Sequence, residues 1–476
     1  MKLLSAVPSN IASEFSWWQQ DIRSSSEVSN YRTLHGSVSV DVAIIGGGFT
    51  GMWTALILKE RQPHLRVAVL DAFRCGDGAS SRNGGNVHGY WGALPTLLPM
   101  FGANKALEAA HLGTLAQRRL SQFASNKDRD VWWEEKGYIR VSTSAAQSKK
   151  IDELIAVANS LGVSTTLTRL SQAETNALCQ SEMFQESLLF EEGATVHPAR
   201  LANHLRAAIA DAGVLVFEDT PVIAINKGQT CRVQTGSGEV IARDVVLATY
   251  TGTMDINAVS RSTSLFSSFP VMSAANPEEL EKRNYTIARG LADLRMFTHY
   301  FRRTRDGRIL MGSGSGPLEK GNAHLSPKLR NDPSSVQRAE VGLKRFFPNM
   351  SGGIAARWGF PIEVTADRLP FFGTLPGTRI HYGSGYSGHG VNATVLAGEC
   401  ISSLILNEND KWSNSVFCHR QRLTFPPEPF RYIGGLMVRD SIVRCEDAED
   451  AGLPQPALAR AIANLPRIIG MRVGTR

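Results

Sequence analysis

Apolar positions alternate between two patterns along the chain. Uninterrupted apolar runs mark buried strands. One is Val38-Ser39-Val40-Asp41-Val42-Ala43-Ile44-Ile45, directly before glycines; others lie at 66–71 and 245–249. Helical spacing occupies 49–61, which stops before Pro63, then 104–124, 148–161 and 198–212, the last closed by Gly213. Short strands are predicted at 214–218, 222–226, 231–235 and 240–242. Asp306-Gly307 between 296–303 and 308–312 predicts a hairpin. A glycine-rich turn, Gly385-Tyr386-Ser387-Gly388-His389-Gly390, follows 380–383 and leads into a helix starting near Val391. Residues 1–37 are aperiodic, and their cluster Phe15-Ser16-Trp17-Trp18 reads as an arm packed on the body.

Residues 38–71 form a strand–helix–strand unit, parallel by the right-handed crossover rule. Such units alternate with blocks of strands, which predicts an α/β fold. A Rossmann-type domain built from separated pieces (38–105, 196–255 and 355–415) holds an inserted, mostly antiparallel domain (106–195 and 256–354). Residues 416–476 form a partly helical tail.

Within the first unit, Gly46-Gly47-Gly48-Phe49-Thr50-Gly51 fits G-x-G-x-x-G. Gly46 permits the tight turn, Gly48 a close approach to a pyrophosphate, and Gly51 close packing of helix on strand. The helix N-terminus offers N–H groups and the positive end of its dipole to phosphates. Asp71, 20 residues after Gly51 at the end of the second strand, can accept from ribose hydroxyls and would repel a 2′-phosphate. The fingerprint predicts a dinucleotide and leaves FAD and NAD both open.

Composition narrows the class. The 476 residues are 42% hydrophobic and 20% charged, ordinary for a soluble globular chain. The net charge of +7 (51 Lys+Arg, 44 Asp+Glu) is spread out, without the clustered basic patch of a nucleic-acid binder. The six cysteines lack C-x-x-C spacing, and no His/Glu spacing indicates a metal. No apolar run reaches the ~18 residues of a membrane span, and the first residues carry too short a run for a signal peptide. A cytoplasmic protein is expected.

The segment Asp77-Gly78-Ala79-Ser80-Ser81-Arg82-Asn83-Gly84-Gly85 resembles the G-A-S-x-R-N-G-G segment of the FAD-dependent D-amino-acid oxidase (DAO) superfamily. The branch most resembled is that of gamma-glutamylputrescine oxidase- and glycine oxidase-like amine oxidases. Three further segments resemble family motifs in the same order. They are the hairpin Tyr300-Phe301-Arg302-Arg303-Thr304-Arg305-Asp306-Gly307-Arg308, the stretch from Trp358-Gly359 to Thr365-Ala366-Asp367-Arg368-Leu369-Pro370-Phe371-Phe372-Gly373, and Gly385 to Val391. The resemblance implies a glutathione-reductase-like FAD domain. Gly46, Gly48, Phe49, Thr50, Gly51, Asp71 and Ala72 would lie at the phosphate and ribose end, and Val222 would meet the adenine. Ser80, Ser81, Arg82, Asn83, Gly84 and Gly85 would pass beside the isoalloxazine. The turn Gly385, Ser387, Gly388, His389, Gly390 and Val391 would face flavin N1 and O2, where negative charge accumulates on reduction.

The resemblance implies oxidation of a carbon–nitrogen bond by hydride transfer to flavin N5, with O2 as acceptor. Relatives that tether FAD through His or Cys keep those residues where this chain has Arg82, Asn83 and the cysteine-free Trp358 stretch, so non-covalent FAD is expected. Relatives that grip an α-carboxylate place Arg where this chain has Ile362, which points to a small amine with a more distant acidic group. Tyr300, His389 and Arg302 are the candidate catalytic residues, Arg302 sharing a strand face with Tyr300 and available to an anion. His88 and Tyr90 are further pocket candidates, and Asp293 and Arg295 are expected to pair. A dehydrogenase serving a quinone or carrier, a non-catalytic flavin-binding subunit and a monooxygenase remain as alternatives. No second NADPH fingerprint follows Asp71 to support the last of these.

Overall fold

The computed structural model describes residues 15–23, 32–321, 323–468 and 470–471. Two sheets organise them. The first runs in the order Phe371–Thr374, Ile380–Ser384, Gly238–Leu247, Gly36–Ile45, Val67–Leu70, Leu215–Phe217. Gly36–Ile45 is parallel to both its neighbours, pairing Ile45 with Leu247 and with Leu70. Successive residues of this strand face opposite layers. Val42 and Ile44 pack towards the helices Phe49–Arg61 and Gly390–Leu406, and Ala43 and Ile45 towards the strands Val222–Asn226 and Cys231–Thr235. Both helices are buried nearly all round, so their sequences are apolar without a polar stripe.

The second sheet runs Ile354–Arg357, Thr263–Ser273, Ile309–Ser313, His299–Arg303, Gly290–Asp293, Tyr138–Val141, Ser187–Phe190, Leu167–Leu170, with Phe360–Thr365 also pairing with Thr263–Ser273. Its pairs are antiparallel except Gly290–Asp293 with Tyr138–Val141. The helix Pro333–Phe346 covers one face, burying Leu343 and Phe346 against Val271 and Met311.

Some elements differ from the sequence expectation. Gly238–Leu247 is one ten-residue strand where two were expected, because it runs continuously beside Gly36–Ile45. The helix Leu94–Ala124 begins earlier than residue 104 and is broken at Gly102, whose φ of 76° is outside the helical region. Ile354–Arg357 and Phe360–Thr365 belong to the second sheet, although the sequence pattern opened a dinucleotide-domain segment at 355. The reason is their alternation: Phe360, Ile362 and Val364 face a cavity while Pro361, Glu363 and Thr365 are buried behind.

Candidate functional site

A cavity of about 740 Å³ lies where the two sheets meet. Its wall is built first from the turn after Gly36–Ile45. Gly46 has φ of 104°, and a Cβ there would stand 2.5 Å from the Ala248 carbonyl oxygen. A Cβ on Gly51 would stand 2.0 Å from the Gly46 carbonyl oxygen, so glycine alone lets the helix sit this close. The N-cap Gly48 offers no side-chain cap to this helix; Ser80 Oγ accepts from Phe49 N (2.8 Å), and Gly48, Phe49 and Thr50 line the cavity. Asp71 accepts from Gly47 N through Oδ2 (2.7 Å) and from Phe73 N through Oδ1 (2.9 Å). Burial pushes its carboxyl up to about 7. At the same end, Arg206 and Glu218 form a buried two-point ion pair (2.7 and 2.6 Å) beside Thr220, Pro221 and Val222.

The loop 77–85 forms a second wall, and two distant tryptophans hold it. Trp18 Nε1 donates to Asn83 O (2.9 Å) and Trp358 Nε1 to Arg82 O (2.8 Å). Ser16 Oγ donates to Ser81 O (2.6 Å) and Gln19 Nε2 to Asp77 O (3.1 Å). Residues 16–19 thus clamp this loop. Asn83 Oδ1 turns back to accept from Gly85 N (2.8 Å). A Cβ on Gly84 would stand 3.0 Å from the Tyr300 ring. The Tyr300 hydroxyl is paired with Ser268 Oγ (2.8 Å), and burial raises it to about 12, so it remains a neutral hydroxyl rather than a base.

The third wall is the turn at 385–390. Gly385, Ser387 and Gly388 all have positive φ (81°, 51° and 81°). The fully buried Glu363 holds this shape: Oε1 accepts from Gly385 N (2.7 Å) and Oε2 from Ser384 Oγ (2.7 Å). Burial pushes its carboxyl up to about 7. The helix Gly390–Leu406 then starts at His389 with no side-chain cap. Thr50 Oγ1 and the Tyr386 hydroxyl, 2.7 Å apart, tie the starts of the two helices together. His88 stacks on Tyr138 and meets His389 edge-on, with centroids 4.8 and 5.0 Å apart.

Of the residues named from sequence, Gly46, Gly48, Phe49, Thr50, Asp71, Ala72, Ser80, Arg82, Asn83, Gly84, Gly85, Val222, Tyr300, Ser387, Gly388, His389, Gly390 and Val391 line this cavity. Gly51, Ser81 and Gly385 support its wall from behind. His88 lines it, whereas Tyr90 packs on Phe417 instead. Arg295 Nε and Asp293 Oδ2 pair at 3.1 Å.

Arg302 requires correction. It is fully buried and is absent from the cavity lining. Nη1 donates to Val196 O (2.7 Å) and Gly85 O (3.1 Å), and the guanidinium lies over Trp18, 5.3 Å from the ring centroid. Arg302 does share a strand face with Tyr300, but the backbone at 85 and 196 covers it, so it braces the loop and has no access to an anion.

Sequence reasoning missed Glu363, the Trp18 clamp, the Arg206–Glu218 pair, Tyr250 and Arg368. The last two line the cavity. The tail was also underrated. Glu446 of the helix Phe430–Asp450 accepts from Met296 N (2.8 Å) and Phe297 N (3.1 Å), fixing a cavity-lining segment.

Two uncapped helix starts, a glycine-lined turn and a strand-end carboxylate around one cavity suit a dinucleotide cofactor. The chain belongs to the DAO family of FAD dependent oxidoreductases, whose family model matches residues 41–404. It is 28% identical over 419 residues to the gamma-glutamylputrescine oxidoreductase of Escherichia coli K12, covering 85% of this chain and 92% of that protein. It is 27% identical over 391 residues to a probable oxidoreductase, OrdL, of Haemophilus influenzae, covering 78% and 84%. Glycine oxidase from Geobacillus kaustophilus superposes with a TM-score of 0.66 at 20% identity, over 82% of this chain and all of that one. L-proline dehydrogenase from P. horikoshii does so with 0.65 at 17%, over 79% and 96%. The protein is an FAD-dependent oxidoreductase of the type whose relatives include amine and amino-acid oxidases. Among the described residues, no helix is long and apolar enough to cross a membrane, and no group of three or more His, Cys, Asp or Glu side chains is placed to hold a metal ion.

Proposed function

We propose that the protein oxidises the carbon–nitrogen bond of a small amine that carries an acidic group away from the reacting carbon. The observation that carries this reading is the single cavity lined by two uncapped helix N-termini together with apolar second-sheet residues.

The residues present fit FAD. At Gly46, Gly84 and Gly85 a Cβ would stand 2.5, 3.0 and 2.2 Å from neighbouring atoms, and Asp71 presents a carboxyl at the strand end. The helix start at 48–51 would hold the pyrophosphate, Asp71 the ribose hydroxyls, and the segment 220–222 the adenine. The loop 80–85 and the turn 387–391 would border the ring system, with the dipole of Gly390–Leu406 favouring negative charge there. Neither His nor Cys stands at a tethering position, which supports a non-covalent complex. Bound FAD supplies the hydride acceptor.

The chain's own task is to place the neutral amine, exclude water and complete the proton inventory. Phe360, Ile362 and Val364 give the substrate side an apolar wall. Tyr300, kept neutral and oriented by Ser268, bounds that side with a hydroxyl. The amine loses a hydride and a proton to become an imine, and water converts the imine to a carbonyl compound and the free amine or ammonia. Dioxygen takes the two electrons and two protons, leaving as hydrogen peroxide. His389 lines the cavity at the start of the helix Gly390–Leu406 and would offer a hydrogen-bonding group for that step.

The name of the E. coli relative gives gamma-glutamylputrescine as its substrate, an amine bearing a glutamyl group, in keeping with this reading. The test is to incubate the purified flavoprotein in air with amines, ω-amino acids and acylated diamines, measuring carbonyl product and peroxide together. Equimolar carbonyl and peroxide are expected. Turnover that requires an added electron carrier would replace dioxygen as acceptor, and no turnover with any amine would remove the reading.

A further inference from the structure

We propose that Arg368 is the anion-recognition residue of the substrate pocket, holding the remote carboxylate of the amine. This rests on the amine-oxidising reading above and names the group that would select its substrate.

Arg368 sits at the tip of a tight turn. Its N–H donates to Thr365 O (3.2 Å), Leu369 N donates to Asp367 Oδ1 (3.0 Å), and Thr365 Oγ1 donates to Leu369 O (3.1 Å). Arg420, from the chain beyond the last sheet strand, fastens the turn from outside. It pairs with Asp367 through Nε (2.8 Å) and Nη2 (3.2 Å) and donates to Leu369 O and Pro370 O, both at 2.7 Å. This frame holds Arg368 at φ of 61°, a left-handed conformation that a non-glycine residue keeps only where its surroundings impose it. The polar groups on either side of Arg368 are thus spent on its placement.

The side chain itself is unspent. Arg368 lines the cavity, and its buried Nε has no hydrogen-bond partner among the described residues. By contrast, Arg206, also in the cavity wall, is fully matched by Glu218. A desolvated, unmatched cation is costly, and a carboxylate arriving in the cavity would relieve that cost.

The surrounding charge selects an anion. The carboxylates lining the cavity are Asp71, Asp77, Glu218 and Asp219, all at the strand-end segments near the nucleotide site. The second sheet contributes the apolar Phe360, Ile362 and Val364 to the lining instead. Arg140 adds a second cation behind the wall. It lies two residues from the cavity-lining Tyr138 on one strand, hence on the same face, and its buried Nη1 has no hydrogen-bond partner. Burial, reinforced by repulsion from Arg140, lowers Arg368 to about 10, the direction an unmatched pair of cations gives. The guanidinium remains charged at neutral pH and presents a planar fork suited to a carboxylate.

The test uses the flavin-loaded protein and ligands that cannot be oxidised. Dicarboxylates from succinate to adipate are titrated calorimetrically, with glutaramide as the uncharged control, against wild type, Arg368→Gln and Arg368→Lys. FAD content and Tm confirm folding. Wild type should bind one of these dicarboxylates, and Arg368→Gln should weaken it roughly 10- to 100-fold, the loss of one charge-assisted contact. Arg368→Lys should fall between them, because it keeps the charge and loses the fork. Glutaramide affinity should be unchanged. Absence of dicarboxylate binding by wild type, or equal affinity in the folded variants, would overturn the proposal. Should Arg368→Gln fail to fold, Arg368→Lys at wild-type affinity does the same. In parallel, KM for ω-amino acids should rise in Arg368→Gln while KM for unsubstituted alkylamines stays constant. Amine oxidation with unaltered selectivity would refute the role of Arg368 and leave the reaction standing. Failure of every amine to react with wild type would instead remove the reaction, with the dicarboxylate titration still reporting on Arg368.

Discussion

Replacing Glu363 by glutamine isolates the one fully buried carboxyl that shapes the turn at 385–390. The amide would keep an acceptor for Gly385 N but would not titrate. In the folded wild type the Glu363 carboxyl is raised by burial from 4.5 to about 7. Below pH 4.5 it is protonated in folded and unfolded chains alike and costs nothing. Between 4.5 and about 7 the unfolded chain ionises first, so rising pH favours unfolding. Above about 7 the full cost applies, about 3 kcal/mol. For 476 residues the entropy of unfolding is roughly 1 kcal/mol/K, which converts this to about 3 °C for a cooperative transition. The assay is thermal unfolding of flavin-free wild type and Glu363→Gln from pH 4.5 to 8. The difference, variant minus wild type, should rise by about 3 °C across that window. Taking the difference cancels other carboxyls with similar behaviour, Glu446 among them. A difference that stays constant, or that falls as pH rises, would refute the placement of a protonated carboxyl behind this turn.

Trp18→Phe keeps an aromatic ring but removes the donor to Asn83 O; it should loosen the loop 77–85 and weaken FAD binding by about 1 kcal/mol, or roughly five-fold, in a flavin-release titration. Arg302→Met leaves the buried Val196 carbonyl oxygen unmatched and takes one of two donors from Gly85 O, which keeps Val196 N, so Tm should drop by about 1–3 °C while the preference for acidic over neutral amines is unchanged; a loss of that preference would restore Arg302 to the substrate site. Acid precipitation should leave the yellow colour in the supernatant, since no cysteine is among the described residues lining the cavity and Arg82 and Asn83 occupy the loop position; a yellow pellet would show a covalent link.

The fold was legible where local rules act alone. Val38 to Asp71 displays strand, tight turn, helix and strand because its key glycines answer to local needs: Gly46 takes a positive φ at the turn, and a Cβ on Gly51 would collide with the Gly46 carbonyl oxygen five residues back. The remaining site depends on contacts between distant parts of the chain. The alternation from His299 to Arg303 puts Tyr300 and Arg302 on one face, but it carries no information that the backbone at 85 and 196 covers one of them and not the other. Trp18 reaches Asn83 across 65 positions, and Arg420 reaches Asp367 across 53; neither leaves a spacing to read. Glu363 lies unremarked inside the stretch that opens at Trp358, and only the fold shows its carboxyl meeting the turn 22 residues on. Arg368 stood inside a recognisable motif whose other members, Thr365, Asp367, Leu369 and Pro370, build the turn that presents it.

The central claim is that this cavity brings an amine against bound FAD for oxidation. It is tested most directly by mixing the yellow protein, without oxygen, with primary and secondary amines bearing a remote carboxylate and following the flavin absorbance. At least one such amine should bleach the flavin completely, with one equivalent of carbonyl product per flavin. A protein that keeps its colour with every amine offered, while binding FAD normally, would contradict it.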